Sequence, residues 1–189
     1  MEKIELEILA LANSEAQPNS FVVILKEKEG NRRLPVVIGG FEAQAIALAI
    51  QGIKPNRPLT HDLFRDSLTA LDITLLEVTI SALKEGIFYA LLAYNKTDGT
   101  VVEVDSRTSD AIALAVRFSC PIYAYANILD EAAIAVEDEE NMELLPSGAA
   151  LSDYSKADLE QMLSEALANE NYERAAEIRD EIKNREGKN

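Results

Sequence analysis

Two short stretches concentrate the side chains able to do chemistry. Asp105-Ser106-Arg107-Thr108-Ser109-Asp110 sets two carboxylates, three hydroxyls and a guanidinium between a β-rich run and an apolar helical run. Such a junction can hold a hydrated divalent ion or a phosphate, because free backbone N–H groups at a helix start add to the side-chain charge. The same residues equally suit a helix start without a ligand. Thr108 or Ser109 would then be the N-cap, Asp110 would complement the dipole and Arg107 would pair with Asp105. The second stretch is Arg57, Thr60, His61 and Asp62, with the only histidine of the chain. A histidine there is either a surface or supporting group or a proton carrier.

Other motifs exclude more than they suggest. Gly39-Gly40 lacks the Lys-Ser/Thr of a phosphate loop and reads as a tight strand-to-helix turn. A single cysteine, Cys120, allows no disulfide within the chain and reads as a small buried apolar residue. One histidine with one cysteine excludes an ordinary Cys/His zinc site. The acidic runs 98–105 and 137–140 do not have calcium-loop spacing.

The elements that must position these residues repeat. Ala45-Ile46-Ala47-Leu48-Ala49 recurs 66 residues later as Ala111-Ile112-Ala113-Leu114-Ala115. Each copy follows three strand-like runs, at 4–11, 21–25 and 36–38 in the first half and 73–80, 88–92 and 101–104 in the second. A further strand is expected at 121–126. The helical runs 43–50 and 111–118 are nearly all apolar, which predicts burial, and Gly52 stops the first. Between the halves, Thr60 is the expected N-cap of a helix whose Leu63, Phe64, Leu68 and Leu71 pack on the domain's flank. Glu42 and Gln44 correspond in the repeat to Thr108 and Asp110, so a duplication would bring both sets near one cleft. The expected fold is α/β (α+β): duplicated β-β-β-α units in a compact mixed sheet or pseudo-barrel with buried helices, followed by a C-terminal helical hairpin.

The 189 residues are 48% apolar and 27% charged, with a net charge of −15. That composition suits folded domains, and no apolar run approaches the roughly 20 residues of a membrane span. The opening has no signal-peptide block, so a soluble cytoplasmic protein is expected. Residues 1–136 hold 18 acidic and 12 basic side chains, and residues 137–189 hold 15 and 6. This shift predicts a main domain at 1–136, an acidic linker at 137–153 and a helical hairpin at 154–189. The acidity opposes non-specific adhesion to nucleic acid. Lys26, Lys28, Arg32 and Arg33 surround one hairpin, as a phosphate-tracking edge or a solvated tip.

The residues also carry a resemblance. Leu34-Pro35-Val36-Val37-Ile38-Gly39 with Glu42-Ala43, Arg57-Pro58-Leu59-Thr60-His61-Asp62-Leu63, Phe88-Tyr89-Ala90, the run from Asp105 to Ala115, and Pro121-Ile122-Tyr123 resemble the bifunctional nuclease domain family over about residues 1–136. Ser106 and Thr108 stand where that pattern usually has Ala and Pro, which relaxes the expected helix entry. Asn171-Tyr172-Glu173-Arg174-Ala175-Ala176-Glu177-Ile178-Arg179-Asp180-Glu181-Ile182 is similar to the UVR motif over about 154–187. The first resemblance implies DNase and RNase activity and homo-oligomers; the second implies docking to a protein partner or self-association. Catalysis is then expected from Asp105, Asp110, His61 and Arg107, with Mg²⁺ or Mn²⁺ on Asp105, Asp110 or Glu42. Arg57, Lys26, Lys28, Arg32 and Arg33 are the expected nucleic-acid contacts. The alternative is a non-enzymatic oligomeric adaptor that recruits a repair or proteolytic partner through the hairpin.

Overall fold

Why the two halves look alike in sequence becomes plain in their strand order. The computed structural model describes residues 2–14 and 20–135, with Arg179 and Ile182. In the first half β1 (Lys3–Asn13), β2 (Ser20–Glu27) and β3 (Arg32–Gly39) form an antiparallel meander that runs into α1 (Gly40–Ile50). After α2 (Thr60–Ala70), the second half repeats the plan with β4 (Thr74–Lys84), β5 (Ile87–Asn95), β6 (Val101–Arg107) and α3 (Thr108–Phe118). β7 (Ile122–Tyr125) joins the meanders, antiparallel to β1 and parallel to β4. The sheet order is β6-β5-β4-β7-β1-β2-β3-β8, nearly symmetric about β7. Each meander therefore delivers a helix N-terminus from the end of its third strand.

The sheet is open rather than a barrel: β6 and β8 (Ile134–Ala135) stand at its two edges. The pseudo-barrel expectation is corrected on that point. β8 and the preceding α4 (Ala126–Ala132) were not expected from sequence. Seven residues are too few to display a helical period, although Ile128 and Leu129 of α4 are fully buried.

The core gathers alternate residues of the strands, such as Val23, Leu25, Leu34, Val78 and Ile80, against Ile46 of α1 and Ile112 of α3. Ala111 to Ala115 are buried without interruption, as expected of an all-apolar helix. α1 is buried along one side only, by Ala43, Ala45 and Ile46. Gly52, with φ +66°, follows its C-terminus as expected, and Ile53 N–H closes on the Leu48 carbonyl at 3.0 Å.

α2 differs from expectation. Leu68 packs on the core, but Leu63, Phe64 and Leu71 are exposed by 59%, 45% and 64%. The side with reduced exposure carries His61, Asp62, Arg65 and Leu68, at helical spacing i, i+1, i+4 and i+7. The helix is seated by its polar side. No helix among the described residues is long and apolar enough to cross a membrane.

The chain divides into compact units Met1–Leu145 and Pro146–Asn189. The expected linker at 137–153 and hairpin at 154–189 lie outside the described residues, except that Arg179 and Ile182 are helical.

Candidate active site

Three helices begin at one cleft. Gly39, Leu59 and Arg107 are the N-cap residues of α1, α2 and α3, and Glu42, Asp62 and Asp110 are each the third residue of the helix that follows. An acidic side chain in the first turn is favoured by the helix dipole. In all three helices that preference sets a carboxylate beside the free N–H groups. The cleft, of about 400 Å³, is lined by Phe41, Glu42 and Gln44 from α1, Leu59, Thr60 and His61 from the start of α2, and Arg107 and Asp110. Both expected sets do meet at this cleft, but the correspondence is corrected: Glu42 of α1 matches Asp110 of α3, rather than Glu42 matching Thr108 and Gln44 matching Asp110.

Arg107 organises the charges. Its Nε and Nη2 donate to Asp110 Oδ2 and Oδ1 at 2.7 and 3.1 Å, and its Nη1 stands 2.9 Å from Glu42 Oε1. A guanidinium has five N–H donors. These contacts use three, and the side chain remains 67% exposed. The rest of the fork is open to an anion in the cleft. His61 Nε2 lies 2.9 Å from Asp110 Oδ1. Burial pushes the Asp110 carboxyl up, but hydrogen bonds from Arg107 and His61 outweigh it and hold it below the ordinary Asp value. An ionised Asp110 can only accept, so Nε2 must carry a proton and Nδ1 is the ring nitrogen left to take one.

Glycine matters here through space rather than φ. Gly39 has φ −74°, open to any residue. A Cβ at Gly39 would stand 2.5 Å from Glu42 Oε2, so the glycine makes room for that carboxylate. The strand-to-helix turn expected at Gly39-Gly40 is present, since β3 ends at Gly39 and α1 begins at Gly40.

The caps also differ from expectation. Thr60 and Thr108 are first helical residues rather than N-caps. Asp62 Oδ2 accepts the Leu59 N–H at 3.0 Å, and its Oδ1 accepts Arg117 Nε at 2.6 Å. Thr108 is 4% exposed, and its Oγ1 has no partner among the described residues. Arg107 enters the helix from extended backbone, φ −64° and ψ 143°, the region that a residue before proline also adopts.

Of the remaining expected site residues, Asp105 is exposed on β6, outside the cleft lining, and Arg107 pairs with Asp110 and Glu42 instead. Arg57 is exposed and also outside the lining. Lys28 pairs with Glu5, and Arg32 with Glu27 and Asp130. Lys26 and Arg33 face each other across β2 and β3. From Arg33 to Gly39 the strand spans about 20 Å, so this basic edge is remote from the helix starts. Sequence reading missed Phe41, 89% exposed at the cleft lip, and the Arg117 partnership with Asp62. An aromatic directly after a glycine pair was the available signal for Phe41.

The donors do not fit the expected divalent ion. Both Asp110 oxygens and one Glu42 oxygen are engaged by Arg107 or His61, and Asp105 stands elsewhere. Among the described residues no group of three or more His, Cys, Asp or Glu side chains is arranged to hold a metal. What the cleft presents is one guanidinium with open donors, two carboxylates bound to it, and a histidine paired with one of them.

Comparison with known proteins identifies the family of the chain. Two Mycobacterium tuberculosis proteins of uncharacterised function are 42% identical over 139 residues, which cover 74% of this chain and 82% of theirs. Bifunctional nuclease 2 of Arabidopsis thaliana is 24% identical over 181 residues, covering 87% of this chain and 55% of the plant protein. A UvrB/UvrC motif matches residues 153–186. The bifunctional nuclease domain matches residues 23–137, from β2 past β8 and across every residue of the cleft, and the chain belongs to that family.

Proposed function

We propose that the chain hydrolyses phosphodiester bonds of DNA and RNA in this cleft. The observation that carries the reading is the meeting of three helix N-termini with Arg107 and the His61–Asp110 pair. A phosphate suits the open Arg107 donors and the helix dipoles. The exposed Phe41 ring is a stacking surface for a neighbouring base, and stacking accepts both polymers. Family membership supports nuclease-type activity in general.

In the proposed step, His61 Nδ1 takes a proton from water as the water oxygen bonds to phosphorus. Arg107 neutralises the charge that develops on the phosphoryl oxygens. The bond to the leaving sugar oxygen breaks, and the imidazolium returns the proton to it. Asp110 holds the ring and stabilises its charged form. Both Asp110 oxygens and one Glu42 oxygen are already engaged, so the steps are assigned to the chain's own residues. The test is cleavage of single-stranded DNA and RNA by the full-length protein with and without EDTA. Both polymers should be cut, and cleavage should persist in EDTA. Failure to cut either polymer would overturn the reading.

A second reading, self-association, is favoured by exposed apolar residues: Leu63 and Phe64 on α2 with Leu71 at its C-cap, and Val101, Val102 and Val104 on edge strand β6. Such an edge invites pairing unless covered. On this reading the UVR-like segment recruits a protein partner. Sedimentation velocity of the full chain decides between a monomer and a homo-oligomer.

A further inference from the structure

Arg117 lies two turns beyond Asp110 on α3, outside the cleft that holds His61. Its side chain is 4% exposed, and that of its partner Asp62 is 18% exposed. Nε donates to Asp62 Oδ1 at 2.6 Å, and Nη1 donates to the Ala113 carbonyl at 3.0 Å. Asp62 is bound on its other oxygen by the Leu59 N–H and follows His61 directly in sequence. Both charges are therefore met by fixed partners on known elements.

What needs explaining is how α2 keeps its place. It has no fully buried residue, and Leu68 is its one side chain packed on the core cluster. Burial of apolar surface ordinarily seats a helix, and here most of the apolar side chains face solvent. Two polar links remain, His61 to Asp110 and Asp62 to Arg117. Adjacent residues of α2 thus grip points about 10 Å apart on α3. One link would leave α2 free to swing. Two fix both its distance and its rotation.

We propose that the half-buried Asp62–Arg117 pair is a clamp that positions the His61 ring against Asp110. Arg117 is a positioning residue: it acts through Asp62 and the backbone of α2 and touches neither the ring nor the cleft. The functional value of the clamp rests on the proposed phosphodiester chemistry, but the placement of the ring can be read without it.

His61 is the only histidine, so its ring nitrogens can be assigned without ambiguity by long-range ¹H–¹⁵N spectroscopy of the full chain. Above the histidine titration the wild type should show two widely separated nitrogen signals, as one tautomer with Nε2–H held on Asp110. Arg117→Met and Asp62→Asn should each draw the two signals together as the tautomers mix. The double variant should look no worse than either single one, because both remove the same link. Leu68→Ala controls for general loosening: it should lower the melting temperature and leave the ring signals at wild-type positions. If Arg117→Met does not fold, Arg117→Lys supplies the same measurement, since it keeps the charge and loses the planar fork.

Wild-type ring signals in a folded Arg117 variant would overturn the clamp, as would an equal disturbance from Leu68→Ala. In cleavage assays the Arg117 variant should lose at least tenfold in kcat with little change in KM. A wild type that cuts no nucleic acid would overturn the proposed function alone, and the ring spectra would still decide the clamp.

Discussion

His61 Nε2 and Asp110 Oδ1 meet at 2.9 Å although 49 residues separate them in the chain. The contact joins the first turns of α2 and α3 and gives a fixed partner to a histidine that sequence alone leaves ambiguous; proton transfer by that ring is the role proposed for it. Arg107 holds the other side of the same carboxylate, so one group, Asp110, orients both the proposed base and the proposed phosphate donor.

The space above Gly39 gives a first prediction. Gly39→Ala suits the local backbone, and loss of a glycine from the unfolded chain favours folding by about 0.4–1 kcal/mol. The new methyl group must push the Glu42 carboxylate away, which changes its contact with Arg107. The variant should melt at or above the wild-type temperature while its cleavage rate changes several-fold. Paired melting curves and rates check this.

A second concerns Thr108, whose buried hydroxyl has no partner among the described residues. Proline is favoured at the first helical position, and the extended Arg107 backbone is what a following proline requires. Thr108→Pro should raise the melting temperature by a few degrees, from about 1 kcal/mol. A lower melting temperature would show that the hydroxyl or the Thr108 N–H is used.

Much of the fold was legible because its signals are local. Alternating strands, two nearly all-apolar helical runs and Gly52 are each written in neighbouring residues, and the recurrence of Ala-Ile-Ala-Leu-Ala marked the two halves, although α1 is buried on one side only. The site was legible in its residue types but not in its pairings. Arg107 chooses Glu42 over Asp105 because β3 and β6 end at corresponding points of the two meanders, a relation that spacing along the chain does not reveal. α2 misled because its apolar stripe was taken as the buried side, whereas the side with reduced exposure carries His61 and Asp62, bonded to Asp110 and Arg117. α4 left no period to read in seven residues.

Acid titration supplies a third prediction. Asp110, Asp62 and Glu27 all lie below their ordinary carboxylate values. For Asp110 and Asp62 burial works the other way and is outweighed, by Arg107 and His61 in one case and by Arg117 and the Leu59 N–H in the other. For Glu27 the leading cause is its bond from Arg32. A group depressed on folding stabilises the native state above its unfolded pKa, and that contribution is lost as pH falls through the folded value. Melting temperature should therefore be nearly level from neutral pH down to about 5 and fall below about pH 4. Asp62→Asn should reduce the acid-side drop.

The account rests most heavily on Asp110. Asp110→Asn keeps the shape of the side chain at the start of α3 and removes the charge that orients both Arg107 and His61. Single-turnover cleavage of a labelled oligonucleotide, measured beside the melting curve, should show a rate at least tenfold below wild type. That corresponds to about 1.4 kcal/mol in the barrier, and the variant should remain folded. A folded Asp110→Asn protein that cuts at the wild-type rate would contradict the account and return Asp110 to the role of a helix-start carboxylate.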